Sequence, residues 1–109
     1  MDQNGAFAEY VRIPESNIWK LDPAIPQEYA SILDPLGNAV HTVLAGEIAA
    51  KTVAITGCGP IGLFAIAVAR ACGATQVFAI EINEYRRRIA QQMKADLITR
   101  RRMQWDRVF

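Results

Sequence analysis

The chain has 109 residues, of which 51% are hydrophobic and 21% charged, and its net charge is +1. This length suits one compact domain, and the composition argues against a disordered chain. The longest apolar stretch, Ile61 to Ala69, is far shorter than the roughly 20 residues that cross a bilayer, and the amino terminus lacks the features of a signal peptide, so we expect a cytoplasmic protein without a membrane partner.

Charge is unevenly distributed along the chain. Residues 1–85 carry four basic and nine acidic side chains, whereas residues 86–109 carry eight basic and two acidic ones. An arginine-rich end can contact nucleic acid, but no recognisable binding motif accompanies it. We therefore expect no nucleic-acid partner.

Two short strands are predicted near the amino terminus. The side chains alternate in character over residues 7–13, and residues 17–21 form a second short run, with a turn signal between them. Prolines then mark a loop, after which residues 27–33 are predicted as a brief helix.

A longer helix is predicted to begin at Asp34-Pro35 and to end at Gly46. Its apolar face is expected to carry Leu36, Val40, Val43 and Leu44. Aspartate before proline is typical of a helix N-cap, so the residues by themselves indicate a capping role for Asp34. His41, two turns further along, is interpreted as a surface histidine.

From residue 51 onward, strands and helices alternate. Strands are predicted over residues 51–56, 76–81 and 95–99, and helices over residues 61–72 and 84–94. The first strand is apolar enough to be covered on both faces. Asn83 is placed to cap the second of these helices, whose inward face is expected to carry Ile89, Ala90 and Met93. This βαβαβ order predicts an α/β fold with a parallel sheet wound right-handedly.

Three glycines, Gly57, Gly59 and Gly62, follow the first strand and open the helix after it; we call residues 57–62 the glycine loop. Gly57 permits a tight turn, Gly59 lets the backbone approach a pyrophosphate, and Gly62 lets the helix pack close to the sheet. The amino terminus of that helix offers unpaired N–H groups to phosphates. The spacing predicts a dinucleotide-binding loop.

Glu81 stands at the end of the next strand, about 20 residues after the loop, where an acid that binds ribose is expected. The alternatives are a βα turn without a ligand and a solvated acid at a strand end. The two cysteines match no metal-ligand or disulfide spacing. Cys58 is interpreted as a small loop side chain, although the helix terminus would favour its thiolate.

Four segments, "GAFAEYVRIPESNIWKL", "ILDPLGNAVHTVLAG", "VAITGCGPIG" and "EINEYR", together resemble the L-threonine 3-dehydrogenases, a family of zinc-dependent medium-chain alcohol dehydrogenases. The likeness covers approximately residues 5 to 98. It implies that residues 1–34 end a GroES-like β-rich catalytic domain and that residues 35–98 form the first half of a Rossmann NAD-binding domain. Residues 99–109 are then a divergent basic tail.

The resemblance also implies roles for individual residues. Ile61 matches a position that contacts the cofactor, Glu81 matches the acid that holds the adenosine ribose, and Arg86 matches a basic position that touches the same ribose. Asp34 matches an acidic position beside the catalytic zinc, where it would belong to the proton relay.

The reaction implied by the resemblance is oxidation of the 3-hydroxyl of L-threonine by NAD, which gives 2-amino-3-oxobutanoate and NADH in a zinc-containing homo-oligomer. Glu81 should repel the 2′-phosphate of NADP and so favour NAD. Arg86 should instead attract the 2′-phosphate and so favour NADP, whereas Arg87 and Arg88 are expected to project elsewhere on their helix.

The sequence departs from the family in several places. The family's zinc ligands lie upstream of the residues present here, so we expect no metal-binding residue in this chain. Lys94 occupies a helix end where the family usually has glycine. The likeness ends at Thr99, and our interpretation is a truncated or frameshifted gene whose product is inactive alone. A half-sheet of three strands would expose apolar edges, so self-association is expected.

Two other functions remain open from the sequence. One is a fragment of a different zinc-dependent secondary-alcohol or polyol dehydrogenase, because most of the substrate pocket is missing. The other is a nucleotide-binding module without catalysis.

Overall fold

The structure is a computed structural model that describes residues 5–100. The chain divides into two compact units, with the boundary between Ala30 and Ser31. Within the described residues, every helix is too short or too polar to cross a membrane. Residues 101–109, which make up most of the predicted basic tail, lie outside the described part of the chain.

The first unit contains one turn of 3₁₀ helix, Glu15–Asn17, and the short helix α1, Gln27–Ala30. The turn signal and the brief helix are therefore confirmed. The strands predicted over residues 7–13 and 17–21 are wrong, since residues 5–30 contain no strand. A strand needs a neighbour to pair with its N–H and C=O groups. The apolar side chains of these two segments are instead exposed, Phe7 and Trp19 among them.

Helix α2, Leu33–Leu44, begins the second unit. The N-cap is Ile32, whose carbonyl accepts from Leu36 N at 3.1 Å, so the prediction that Asp34 caps the helix is wrong. The first-turn N–H groups of a helix have no intrahelical partner, so Pro35 sits within the first turn without loss and the helix starts before Asp34.

The inward face of α2 agrees in part with the predicted one, since Val43 is buried and Leu36 and Val40 are half-buried. Ala39 and Val43 are buried in the core, whereas Leu44 is 59% exposed. The other apolar side chains of the predicted face line a surface groove of about 630 Å³ together with Leu44.

The sheet consists of β1, Thr52–Thr56, β2, Gln76–Ile80, and β3, Leu97–Thr99. The strands are parallel in the order β1-β2-β3, with Val53 opposite Val77 and Phe78 opposite Leu97. The predicted α/β fold with a parallel βαβαβ sheet is confirmed. Among the three strands, β2 has side chains buried on both faces, whereas alternate side chains of β1 are exposed, so one face of β1 is not covered. The prediction that both faces of β1 are covered is therefore wrong.

Helices α3, Pro60–Ala71, and α4, Glu84–Gln92, connect the strands as predicted. Gly73 follows α3 with φ +85°, and the side chain of Asn83 caps α4 by accepting from Arg86 N at 3.1 Å. Lys94 adopts φ +67° after α4, the left-handed conformation in which the family's glycine is the usual residue. Ala90 is buried and Ile89 and Met93 are half-buried, as expected of an inward face.

Asp96, directly before β3, connects the start of that strand to β2 by hydrogen bonds. Its N–H donates to Val77 O at 2.9 Å, and its Oδ2 accepts from Val77 N at 2.6 Å. Arg70, near the end of α3, forms an ion pair with Asp96 and donates from Nε to Lys94 O at 3.0 Å. The hydrogen bond from Val77 N, followed by that from Arg70, lowers the pKa of Asp96 below its ordinary value of 3.8, against the effect of burial.

We predict that the free energy of unfolding falls in acid partly through Asp96. Because its pKa is lowered in the folded state, its contribution is complete above the unfolded pKa and is lost as pH falls through the folded pKa. Urea unfolding measured at neutral pH and at several values below pH 3.8 should show a weaker acid dependence in Asp96→Asn than in the wild type. An identical acid dependence in both proteins would contradict this role.

We also predict that the free edge of β1 drives self-association. Ala54 is exposed in the middle of this edge strand, and a lysine on an edge strand opposes pairing with another sheet. Sedimentation velocity should show larger species as the wild-type concentration rises and a shift towards monomer in Ala54→Lys. The matched control, Gln92→Lys, adds the same charge at an exposed position on α4 and should associate like the wild type.

Candidate functional site

The glycine loop turns the chain from β1 into α3. Gly57 has φ +87°, in the left-handed region that favours glycine, and its N–H donates to Ile80 O at 2.8 Å. That bond joins the end of β1 to the end of β2. The tight turn predicted at Gly57 is confirmed.

Gly62 lies in the first turn of α3, directly against the carbonyl of Gly57. A Cβ on Gly62 would stand 1.9 Å from Gly57 O, closer than atoms can approach. The predicted close packing at Gly62 is therefore confirmed. A Cβ on Gly59 would meet no atom within 4 Å, so it would project into open space at the mouth of the loop. Contact of Gly59 with a pyrophosphate stays a prediction.

The amino terminus of α3 is open to an anion. Pro60 occupies its first turn, and the N-cap residue Gly59 provides no side-chain cap. The first N–H groups of a helix lack intrahelical partners and carry the positive end of the helix dipole. The loop and the helix terminus thus have the geometry and the partial charge that a phosphate group requires.

Glu81 follows β2, and 94% of its surface is buried. Its Oε1 accepts from Asn83 N at 2.9 Å, and its Oε2 accepts from Cys58 N at 2.8 Å. These two hydrogen bonds lower the pKa of Glu81 below its ordinary value although burial opposes them. Each carboxylate oxygen has two lone pairs, so each keeps capacity for one more donor, such as a ribose hydroxyl.

Arg86, on the first turn of α4, lies beside this carboxylate. Its Nη1 is 3.9 Å from Glu81 Oε2, and its side chain is 52% exposed. Arg87 and Arg88 instead form ion pairs with Glu84, as expected of side chains that project elsewhere on the helix. Arg86 is thus the arginine of this triplet that the fold brings to Glu81.

A crevice of about 380 Å³ opens where β1 and β2 end. It is lined by Thr56, Gly57, Ile80, Glu81, Ile82 and Arg100. Two of these residues were not predicted from the sequence: Ile82, which is 81% exposed, and Arg100, which donates from Nη2 to Glu84 Oε2 at 2.8 Å. Arg100 directly follows β3, and the carboxyl ends of parallel strands meet at one edge, so its position was a usable signal.

A second, apolar cavity of about 530 Å³ lies on the β1 side of the loop. Ile61, predicted to contact the cofactor, lines this cavity and is 47% exposed. Thr56 and Gly57 line both spaces. An elongated ligand could therefore cross the loop, with one half beside Glu81 and the other beside Ile61.

Cys58 is buried, whereas Asp34 and His41 are exposed on α2. Cys58 is fully buried, and desolvation, followed by the nearby Glu81 charge, raises the pKa of its thiol, which agrees with its interpretation as a small loop side chain and not with the alternative of a favoured thiolate. Asp34 is exposed on α2, where its carbonyl accepts from Asn38 Nδ2 at 3.0 Å. It does not line the crevice that contains Glu81. His41 is exposed, as expected.

Residues 5–100 contain no group of three or more histidine, cysteine, aspartate or glutamate side chains placed to hold a metal ion. A zinc site with the usual three or four protein ligands therefore has no counterpart among them.

The chain is similar to L-threonine 3-dehydrogenases from several organisms. It is 58% identical to the enzyme of Bacillus licheniformis over 100 residues, covering 91% of this chain and 29% of that protein. It is 53% identical to the enzyme of Pyrococcus furiosus over 98 residues, covering 90% of this chain and 28% of that protein. The predicted resemblance to the L-threonine 3-dehydrogenase family is confirmed. No protein-family model matches the chain.

Solved structures of dehydrogenases share this fold. An alcohol dehydrogenase from Thermus gives a TM-score of 0.77 at 36% identity, covering 87% of this chain and 29% of that one. A protein from Sinorhizobium meliloti, described as a zinc-binding dehydrogenase and bound to NADP, gives 0.78 at 33% identity, covering 87% and 28%. The chain spans less than a third of the length of the relatives that it matches.

We predict that a methyl group destabilises the fold at Gly62 but has little effect at Gly59. Gly62→Ala should lower the free energy of unfolding by roughly 1–3 kcal/mol, because its Cβ overlaps the Gly57 carbonyl. Gly59→Ala is the matched control and should change it by less than about 0.5 kcal/mol, because its Cβ meets open space. Urea unfolding measures both, and equal losses would show that the close approach at Gly62 does not limit packing.

Proposed function

We propose that this chain supplies the adenosine-side NAD site of an L-threonine 3-dehydrogenase, which oxidises the 3-hydroxyl of L-threonine to give 2-amino-3-oxobutanoate and NADH. The single observation that supports this most strongly is the joined geometry of the glycine loop and Glu81, in a chain 58% identical to such an enzyme. When bound, NAD would accept the hydride from the substrate carbon.

Different residues of the site would bind different parts of the cofactor. Gly59 and the N–H groups at the start of α3 would bind the pyrophosphate, where a side chain on Gly59 would intrude. Glu81 would accept hydrogen bonds from the adenosine ribose through the lone pairs that its two main-chain bonds leave free. Arg86 lies close enough to reach the same ribose, and Ile61 borders the apolar space on the other side of the loop.

Asp34 would act in proton transfer, as its position in the family implies. Its carboxylate is exposed in the first turn of α2, and Asn38 Nδ2 lies 3.5 Å from its Oδ2. Its carboxylate is not used as the helix cap. Catalytic zinc does not fit the residues that the structure describes, and we assign no step of this chain to it. A cytoplasmic homo-oligomer is part of the same proposal.

A nucleotide-binding module without catalysis is the second candidate. It is favoured by the contrast between a complete phosphate-binding loop and the lack of a metal-ligand group within residues 5–100. Formation of NADH from L-threonine distinguishes the two functions. A panel of secondary alcohols and polyols in the same assay tests the alternative substrate class.

We predict that the chain binds NADH at least about tenfold more tightly than NADPH. The 2′-phosphate would approach the buried negative charge of Glu81, and like charges at close range in a partly buried site repel strongly. Calorimetric titration at one fixed salt concentration measures both affinities, and Glu81→Ala should narrow the difference. Equal affinities in the wild type would contradict the assignment of Glu81 to the ribose.

Gly59→Val is the control for this titration. Its side chain would enter the space proposed for the pyrophosphate that both cofactors share, so both affinities should be lost. Retained binding would show that the titration reports some other surface.

A further inference from the structure

We propose that Glu81 is a positioning residue that builds the phosphate cradle as well as a residue that contacts ribose. Its buried carboxylate holds the Cys58 N–H, inside the glycine loop, and the Asn83 N–H, at the start of α4. The affinity of the loop for a pyrophosphate group should therefore depend on Glu81 even when the ligand has no ribose hydroxyls. This inference rests on the proposed NAD-binding function.

Burial makes the bond between Cys58 N and Glu81 Oε2 costly to lose. Cys58 is fully buried and Glu81 is only 6% exposed, so water cannot easily replace the carboxylate as the acceptor. A buried donor left without a partner destabilises the conformation that contains it, and hydrogen bonds to charged groups are stronger than neutral ones. Without Glu81, the loop should relax to a conformation that exposes or re-pairs this N–H.

The position of Cys58 determines what such a relaxation would move. It lies between Gly57, whose φ of +87° sets the turn, and Gly59, the N-cap of α3. Glycines restrict the backbone weakly, so this part of the loop depends on external bonds for its shape. Gly57 N is held by Ile80 O and Cys58 N by Glu81, both at 2.8 Å. Release of Cys58 would shift Gly59 and the first N–H groups of α3, which are the proposed phosphate donors.

The two roles of Glu81 are coupled through one carboxylate. One lone pair of each oxygen is used by a main-chain N–H, and the other remains for a ribose hydroxyl. A neutral substitution would relieve repulsion of a 2′-phosphate but would also loosen the cradle. We therefore expect Glu81→Ala to reduce the difference between the two affinities because the affinity for NADH falls, and not because the affinity for NADPH rises.

The binding test uses ADP and a dideoxy analogue of ADP that lacks both ribose hydroxyls. Calorimetric titration of the 109-residue chain should show that Glu81→Ala weakens both ligands roughly tenfold or more. Glu81→Gln keeps one acceptor oxygen and should give a smaller loss for both. If Glu81→Ala weakens ADP but leaves the dideoxy analogue unchanged, Glu81 contacts ribose only and the positioning role is overturned.

Asp96→Asn is the matched control. Asp96 also accepts a main-chain N–H, that of Val77, but it does so where β3 begins, away from the loop. This variant tests whether a general loss of stability weakens binding, and it should leave both affinities within about twofold of the wild type. An equal loss in Asp96→Asn would overturn the specific role of Glu81.

Amide hydrogen exchange tests the positioning role without any ligand. The Cys58 amide should be protected in the wild type, exposed in Glu81→Ala, and as protected in Asp96→Asn as in the wild type. Unchanged protection of Cys58 in Glu81→Ala overturns the inference. A wild type that binds neither ADP nor NADH refutes the proposed function, which the exchange result distinguishes from a failure of the positioning role.

Discussion

The candidate site depends on the hydrogen bonds that the carboxylate of Glu81 accepts from two main-chain N–H groups. This carboxylate stands at the end of β2, and its oxygens reach into the glycine loop and into the start of α4. Two connections that follow neighbouring strands are thereby fixed by one buried charge. Donation from two N–H groups offsets the desolvation of that charge, so the same bonds that shape the loop also keep the carboxylate ionised.

The glycines provide the complementary constraint. Gly62 allows α3 to approach the Gly57 carbonyl, and this close approach places the amino terminus of α3 immediately beyond the end of β1. The helix dipole then acts at the mouth of the loop, where Gly59 leaves space. Shape, partial positive charge and a fixed acid are thus produced by short-range features within residues 56–83.

Local patterns in the sequence predict the second unit well and the first unit poorly. The parallel sheet and the cap at Asn83 follow from periodicity and from residues next to one another in the chain. The strands expected over residues 7–13 and 17–21 depend on partners that no local pattern provides. The prediction that Asp34 caps α2 is wrong because several first-turn positions tolerate proline, so the location of Pro35 does not determine where the helix starts. Arg100 lies at the crevice because β3 ends beside β2, so its place directly after a predicted strand was a signal that the sequence did contain.

Anchoring also determines how firmly the site can discriminate between cofactors. A solvated acid at a strand end could rotate away from a 2′-phosphate, whereas Glu81 is held through both oxygens and would have to break a main-chain bond to do so. Arg86 is half exposed and 3.9 Å from the carboxylate, so its favourable charge is screened by solvent and its side chain is free to move. A related fold from Sinorhizobium meliloti is bound to NADP, so the fold itself does not decide the choice. The proposed preference for NAD rests on this difference in anchoring between the buried carboxylate and the half-exposed guanidinium.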